Sequence, residues 1–135
     1  MKKPTIAVVG CAALMLSIAF AQGHEDFQTW MKETNTNFGN LRKAVTAKQG
    51  ADSASAAEKM AAIFDQVRGH FEEHHLDDGV NFAKTGHDAA KDLASAANSG
   101  DWDKASADLK TLGGVCQGCH AAHREKLPDG SFKMK

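Results

Sequence analysis

Five residues near the end of the 135-residue sequence carry its densest chemistry: Cys116, Gln117, Gly118, Cys119 and His120, two thiols three positions apart followed at once by an imidazole. This C-x-x-C-H spacing is the attachment signature of a c-type haem. Each thiol can add across a porphyrin vinyl group to form a thioether, and the imidazole next in sequence offers a ring nitrogen to the iron. On a helix the three side chains share one side, so a single face can hold the porphyrin edge and ligate the metal. Other readings of the run make demands of their own. A redox-active C-x-x-C wants a βαβ setting, and none is visible. A structural zinc usually wants four ligands, commonly a second cysteine pair, yet the only other cysteine is Cys11.

The elements that must position this run are helices. Beyond residue 21 valine and isoleucine are scarce, tyrosine is absent, and alanine, lysine, aspartate and glutamate dominate, a composition for an all-α chain. The length allows one domain. The net charge is −1, and becomes −3 without Lys2 and Lys3, since every carboxylate lies past residue 21. Nothing in this balance points to nucleic acid.

Residues 1–21 have the pattern of a secretory signal: Lys2 and Lys3, an apolar run from Ile6 to Phe20, and the small-x-small site Ala19-Phe20-Ala21. The mature domain is then 22–135, with no membrane span after cleavage. An uncleaved anchor is the alternative, but the apolar run is short for a span. Val8-Val9-Gly10-Cys11 also resembles a lipobox, although the apolar residues continue past Cys11. Export and motif agree, because bacteria attach c-type haem outside the cytoplasmic membrane, so the expected location is the periplasm.

Four helices follow. From about Glu25 to Gln49 the stripe is Phe27, Met31, Thr34, Phe38, Leu41 and Val45, with Gly50 placed to close the helix. From about Ser53 to His75 it is Ala57, Met60, Phe64, Val67, Phe71 and His74. Leu76 to Gly79 read as a turn. The third helix, about Val80 to Ala97, turns Phe82, Ala89, Leu93 and Ala96 inward and ends at Asn98-Ser99-Gly100. Asp101 caps the fourth, about Trp102 to Lys126, whose stripe runs Trp102, Ala105, Leu109, Leu112, Cys116, Cys119 and His123. Short connections between four helices predict an antiparallel up-down-up-down four-helix bundle. Residues 128–135 read as a loosely ordered tail.

Four helices, the Gly100-Asp101-Trp102-Asp103 turn into the last one, and Cys116-Gln117-Gly118-Cys119-His120-Ala121-Ala122-His123-Arg124 near the C-terminus resemble the cytochrome c prime family. The resemblance covers nearly all of the mature chain. It implies a bundle enclosing one haem c tethered through Cys116 and Cys119, with His120 as the proximal ligand. It also implies that Arg124 lies near that histidine and a haem propionate, and that the first helix supplies the opposite face. The segment Asn37-Phe38-Gly39 is similar to one in the family's first helix, and the family position over the iron, six residues before the asparagine, is Met31. Most members carry a non-ligating residue there and keep an open, five-coordinate iron. A low-spin subgroup has methionine in a pattern similar to Met31-Lys32-x-x-x-x-Asn37, and this chain matches that subgroup.

From the residues alone, Met31 is either a thioether ligand or core filler one turn after Phe27. Met60, on another inward stripe, is the competing thioether and reads as core. His123, one turn beyond His120, stays on the proximal side and takes a position where the family usually has an aromatic. His70, His74 and His75 cluster with Glu72 and Glu73; His70 and His74 could share a stray divalent ion, or the group is a polar helix end. His24 and His87 read as ordinary solvated side chains.

The combined expectation is an exported carrier of single electrons, not an enzyme. His120 and Met31 ligate the iron, Phe27, Phe38, Phe64 and Leu112 form an apolar shell, and redox proteins of the periplasm are the partners. Two alternatives stand beside it. One is a five-coordinate protein binding nitric oxide or carbon monoxide, with Thr34 and Asn35 near the open site. The other is a haem-free helical module that binds metal through the histidine-rich second helix and the cysteine pair. The connection between the second and third helices is shorter than the family's, which leaves monomer and homodimer both open.

Overall fold

The computed structural model describes the backbone of residues 12–135 and the side chains of residues 26–135. Its elements in chain order are α1 (Ala12–Thr46), α2 (Gly50–Glu73), α3 (Asp77–Ser99), α4 (Trp102–His123), β1 (Arg124–Lys126) and β2 (Phe132–Met134). Lys2, Lys3 and the lipobox-like Cys11 lie outside the described residues. The expected cleavage site at Ala19-Phe20-Ala21 falls within the helical backbone of α1, where side chains are not described. Among the described residues no helix is long and apolar enough to cross a membrane.

All three helix connections close in the same way. At the end of α1, Lys48 N donates to Val45 O and Gln49 N to Ala44 O. At the end of α2, His75 N donates to Glu72 O and Leu76 N to Phe71 O. At the end of α3, Gly100 N donates to Ala97 O and Asp101 N to Ala96 O. Each is a Schellman pair, which needs one left-handed residue. Those residues are Lys48 (φ 54°), His75 (φ 56°) and Gly100 (φ 74°).

Two of these turns differ from those expected from the sequence. Gly50 does not close α1; it opens α2, where an added Cβ would sit 3.0 Å from the carbonyl oxygen of Ala97. Asp77 to Gly79 are not a turn but the first turn of α3, where carboxylates favour the positive end of the helix dipole. Asp101 caps α4 as expected, accepting from Lys104 N at 3.0 Å.

Each helix packs on its chain neighbour, giving the expected antiparallel four-helix bundle. The α2–α3 pair makes the most extensive contact of the bundle, and both helices bury small residues, among them Ala57 and Ala61 of α2 and Ala83, Ala90 and Ala94 of α3. Two glycines of α3 complete the fit. An added Cβ at Gly79 would lie 2.4 Å from the ring of Phe71, and one at Gly86 would lie 2.6 Å from the ring of Phe64. By contrast α1 and α4 scarcely meet.

One polar group sits badly in the core. The hydroxyl of Ser53 is fully buried with no hydrogen-bond partner among the described residues. An unpaired buried hydroxyl costs about 1–3 kcal/mol of lost hydration. Ser53→Ala is therefore expected to raise stability by about 1 kcal/mol in denaturant unfolding, and a loss of that size would show that the hydroxyl is satisfied in solution.

The C-terminal segment is more ordered than the sequence reading allowed. α4 stops at His123 rather than Lys126, and β1 pairs antiparallel with β2, Glu125 opposite Lys133. Pro128 to Ser131 turn the ribbon, with the Asp129 carboxylate accepting from Ser131 N at 2.9 Å and from its hydroxyl at 2.6 Å. The ribbon is tied to the bundle at its far end. Lys135 N donates to His123 O at 2.8 Å, and Lys135 Nζ donates to Ala121 O at 3.1 Å. A tail of this length holds because its anchors are backbone groups at the frayed end of α4.

Candidate functional site

Because α1 and α4 make few contacts, a cleft of about 120 Å³, partly open to solvent, is left in the bundle. All four helices wall it. α1 contributes Met31, Thr34, Asn35 and Phe38; α2 contributes Phe64 and Val67; α3 contributes Phe82 and Ala83; α4 contributes Val115, Cys116, Cys119 and His120. The walls are dominated by aromatic and aliphatic side chains, with the polar atoms confined to a few positions on α1 and α4. Gly118, between the two cysteines, lies under the ring of Phe82, which an added Cβ would approach to 2.8 Å.

Burial sets the chemistry of the motif. It pushes the Cys116 thiol up, and pushes the Cys119 thiol up to about 11, with the neighbouring Cys116 and Asp78 adding to the shift. As free thiols both stay protonated at neutral pH, whereas zinc ligation and thiol exchange need the thiolate. For His120, burial first and the Arg124 charge second hold the imidazole below its usual range, which keeps it neutral with a lone pair to donate. Among the described residues no group of three or more His, Cys, Asp or Glu side chains is placed to hold a metal ion.

Compared with known proteins, the chain is 30% identical to a cytochrome c′ of Pararhodospirillum photometricum over 122 residues, spanning 75% of this chain and 98% of that one. The chain belongs to the cytochrome c′ family. No family model matches it. The fold is also that of solved cytochromes c′. One, from Thermochromatium tepidum, superposes with a TM-score of 0.63 at 20% identity, over 74% of this chain and 92% of that one. Another, described as having an unusual ligand-controlled dimer dissociation, gives a TM-score of 0.61 at 21% identity with the same coverage.

As a cytochrome c′ the protein is a monohaem c-type cytochrome, its haem c attached through Cys116 and Cys119. The cleft suits that group. Both thiols and His120 lie on one wall, the rings of Phe38, Phe64 and Phe82 flank it, and Gly118 keeps the backbone between the thiols free of a side chain.

The residues singled out from the sequence are distributed unevenly about the cleft. Met31, Cys116, Cys119 and His120 share it, with Met31 contributed by α1 and the other three by α4. Met60 is fully buried in the core and is not part of the cleft wall. Phe38 and Phe64 line the cleft as the expected shell, but Phe27 and Leu112 do not. Phe27 packs against Phe71 and His70, and Leu112 is sealed in the core. Phe82, Val67 and Val115 take their places.

Arg124 stands on β1 with its guanidinium 4.0 Å above the ring of Phe132, outside the cleft wall. His123 is buried on the proximal side, its ring 5.1 Å from that of Phe71. Its Nε2 comes within 3.1 Å of Asp78 without hydrogen-bond alignment. His70 packs between Phe27, Trp30 and His74, while His74 and His75 are exposed. His87 is less solvated than expected, lying 3.6 Å from Asp65 and 3.2 Å from Asp88.

Proposed function

We propose that this cytochrome c′ carries single electrons, and that His120 and Met31 are the residues that would ligate its iron. The observation that supports this reading is the sharing of one apolar cleft by a thioether from α1 and the imidazole and thiols of α4. The haem supplies a one-electron Fe(III)/Fe(II) couple. His120, held neutral by burial, offers a nitrogen donor, and Met31 offers a soft sulfur that favours the ferrous state. The rings of Phe38, Phe64 and Phe82 give both residues an apolar surround. Arg124 provides positive charge beside His120. In this reading the role is electron transfer rather than catalysis. The leader of residues 1–21 directs the chain to the periplasm, where other redox proteins are the partners, with the domain working as a monomer or homodimer.

A second reading has its own support. Thr34 and Asn35 set polar groups in the wall beside Met31, and such groups suit a site that admits nitric oxide or carbon monoxide when methionine does not ligate. Absorption spectra of oxidised, reduced and carbon-monoxide-treated protein separate the two. Electron carriage predicts a low-spin spectrum with the weak methionine-to-ferric-iron charge-transfer band and little carbon monoxide uptake. A high-spin spectrum with free uptake would sink it in favour of gas binding.

A further inference from the structure

The ribbon of β1 and β2 differs from the rest of the molecule in charge and in what it exposes. Residues 124–135 carry four cations and two carboxylates, whereas residues 22–123 carry ten cations and fifteen carboxylates. Among the described residues, Phe132 on β2 is the exposed large hydrophobic, at 45%. The pairing register places Lys126 directly opposite Phe132, and the Arg124 guanidinium lies over its ring. Among the described residues neither cation has a carboxylate partner, while Lys133, on the other face, pairs with Glu125 at 3.3 Å. An apolar ring fixed among unneutralised cations on an otherwise acidic protein is a surface for a partner of opposite charge.

Its position matters as much as its composition. The hydrogen bonds from Lys135 to His123 and Ala121 fasten the ribbon to the residues immediately after His120. A partner seated there would lie beside the end of α4 that carries the haem attachment motif.

We propose that this ribbon is the docking surface for an acidic redox protein, with carboxylates of the partner meeting Arg124 and Lys126 around Phe132. The inference rests on the electron-carrier reading. One electron passes between the partner and the iron, reducing Fe(III) to Fe(II) or the reverse, and no bond or proton need move.

The test is voltammetry of the holoprotein, with adsorbed mass measured in parallel, on gold coated with carboxylate-terminated or ammonium-terminated monolayers at low ionic strength. Wild type is expected to adsorb and exchange electrons on the carboxylate surface about tenfold faster than on the ammonium surface. Arg124→Glu with Lys126→Glu abolishes that preference, and Phe132→Ser weakens adsorption several-fold while leaving the charge in place. Lys43→Glu with Lys59→Glu, in the far half of the bundle, changes net charge equally and retains the preference. Equal waves on both surfaces, or equal losses in the two double variants, would overturn the docking surface and leave electron carriage standing. Selective adsorption without any wave would overturn electron carriage, and with it the redox partner.

Discussion

Met31→Ala is expected to convert a low-spin protein that ignores carbon monoxide into a high-spin one that binds it readily, with its reduction potential lower by on the order of 0.1 V. The shift has a direct cause. A thioether is a weak donor that prefers Fe(II), so removing it takes away a preference for the reduced form and leaves the sixth position to water or gas. The same change deletes most of a half-buried side chain, which costs about 1–2 kcal/mol. Met60→Leu is the matched comparison. Met60 is fully buried outside the cleft, so a substitution of similar volume costs under about 1.5 kcal/mol and leaves spectrum and potential as they were. An unchanged spectrum in Met31→Ala would remove methionine ligation.

The second large effect concerns the α2–α3 seam. Gly79→Ala is expected to destabilise the protein by about 2 kcal/mol, lowering its melting temperature by on the order of 10 °C. Helix propensity argues the other way, since alanine in a helix gains about 1 kcal/mol over glycine. Sterics win because the new methyl would stand 2.4 Å from Phe71. That ring cannot step aside: it is fully buried and touched by Phe27, His70 and His123. Gly69→Ala isolates the propensity term. Gly69 is exposed within α2 with open space around it, so the same substitution there raises stability by about 0.5–1 kcal/mol. Thermal unfolding of the two variants must move in opposite directions; a Gly79→Ala protein as stable as wild type would mean that the helices part at no cost.

The four helices were legible in the sequence because the inward stripes have a 3–4 spacing that only a helix can bury on one side. The motif was legible because its chemistry is local. What periodicity could not reveal was which stripe positions face a neighbour and which face the cleft, since Leu112 and Val115 occupy the same helix side in one dimension. That distinction depends on α1 and α4 making few contacts, a property of the packed bundle. Two turns were misplaced because glycine is the residue that announces a left-handed φ, whereas here Lys48 and His75 adopt it, held by paired backbone hydrogen bonds. The ribbon was missed although Pro128-Asp129-Gly130-Ser131 has turn chemistry. Its strands are three residues long and polar, and its anchors at His123 and Ala121 are tertiary.

The order in which the helices pack also sets how the chain folds. Because each helix pairs with its immediate successor, few contacts need a long loop to close, and the search is of the fast kind typical of helical bundles. The α2–α3 hairpin, with its short turn and glycine-seated rings, is expected to form part of the folding nucleus. The attachment motif lies on α4, so a chain exported N-terminus first delivers the aromatic walls of α1, α2 and α3 before Cys116.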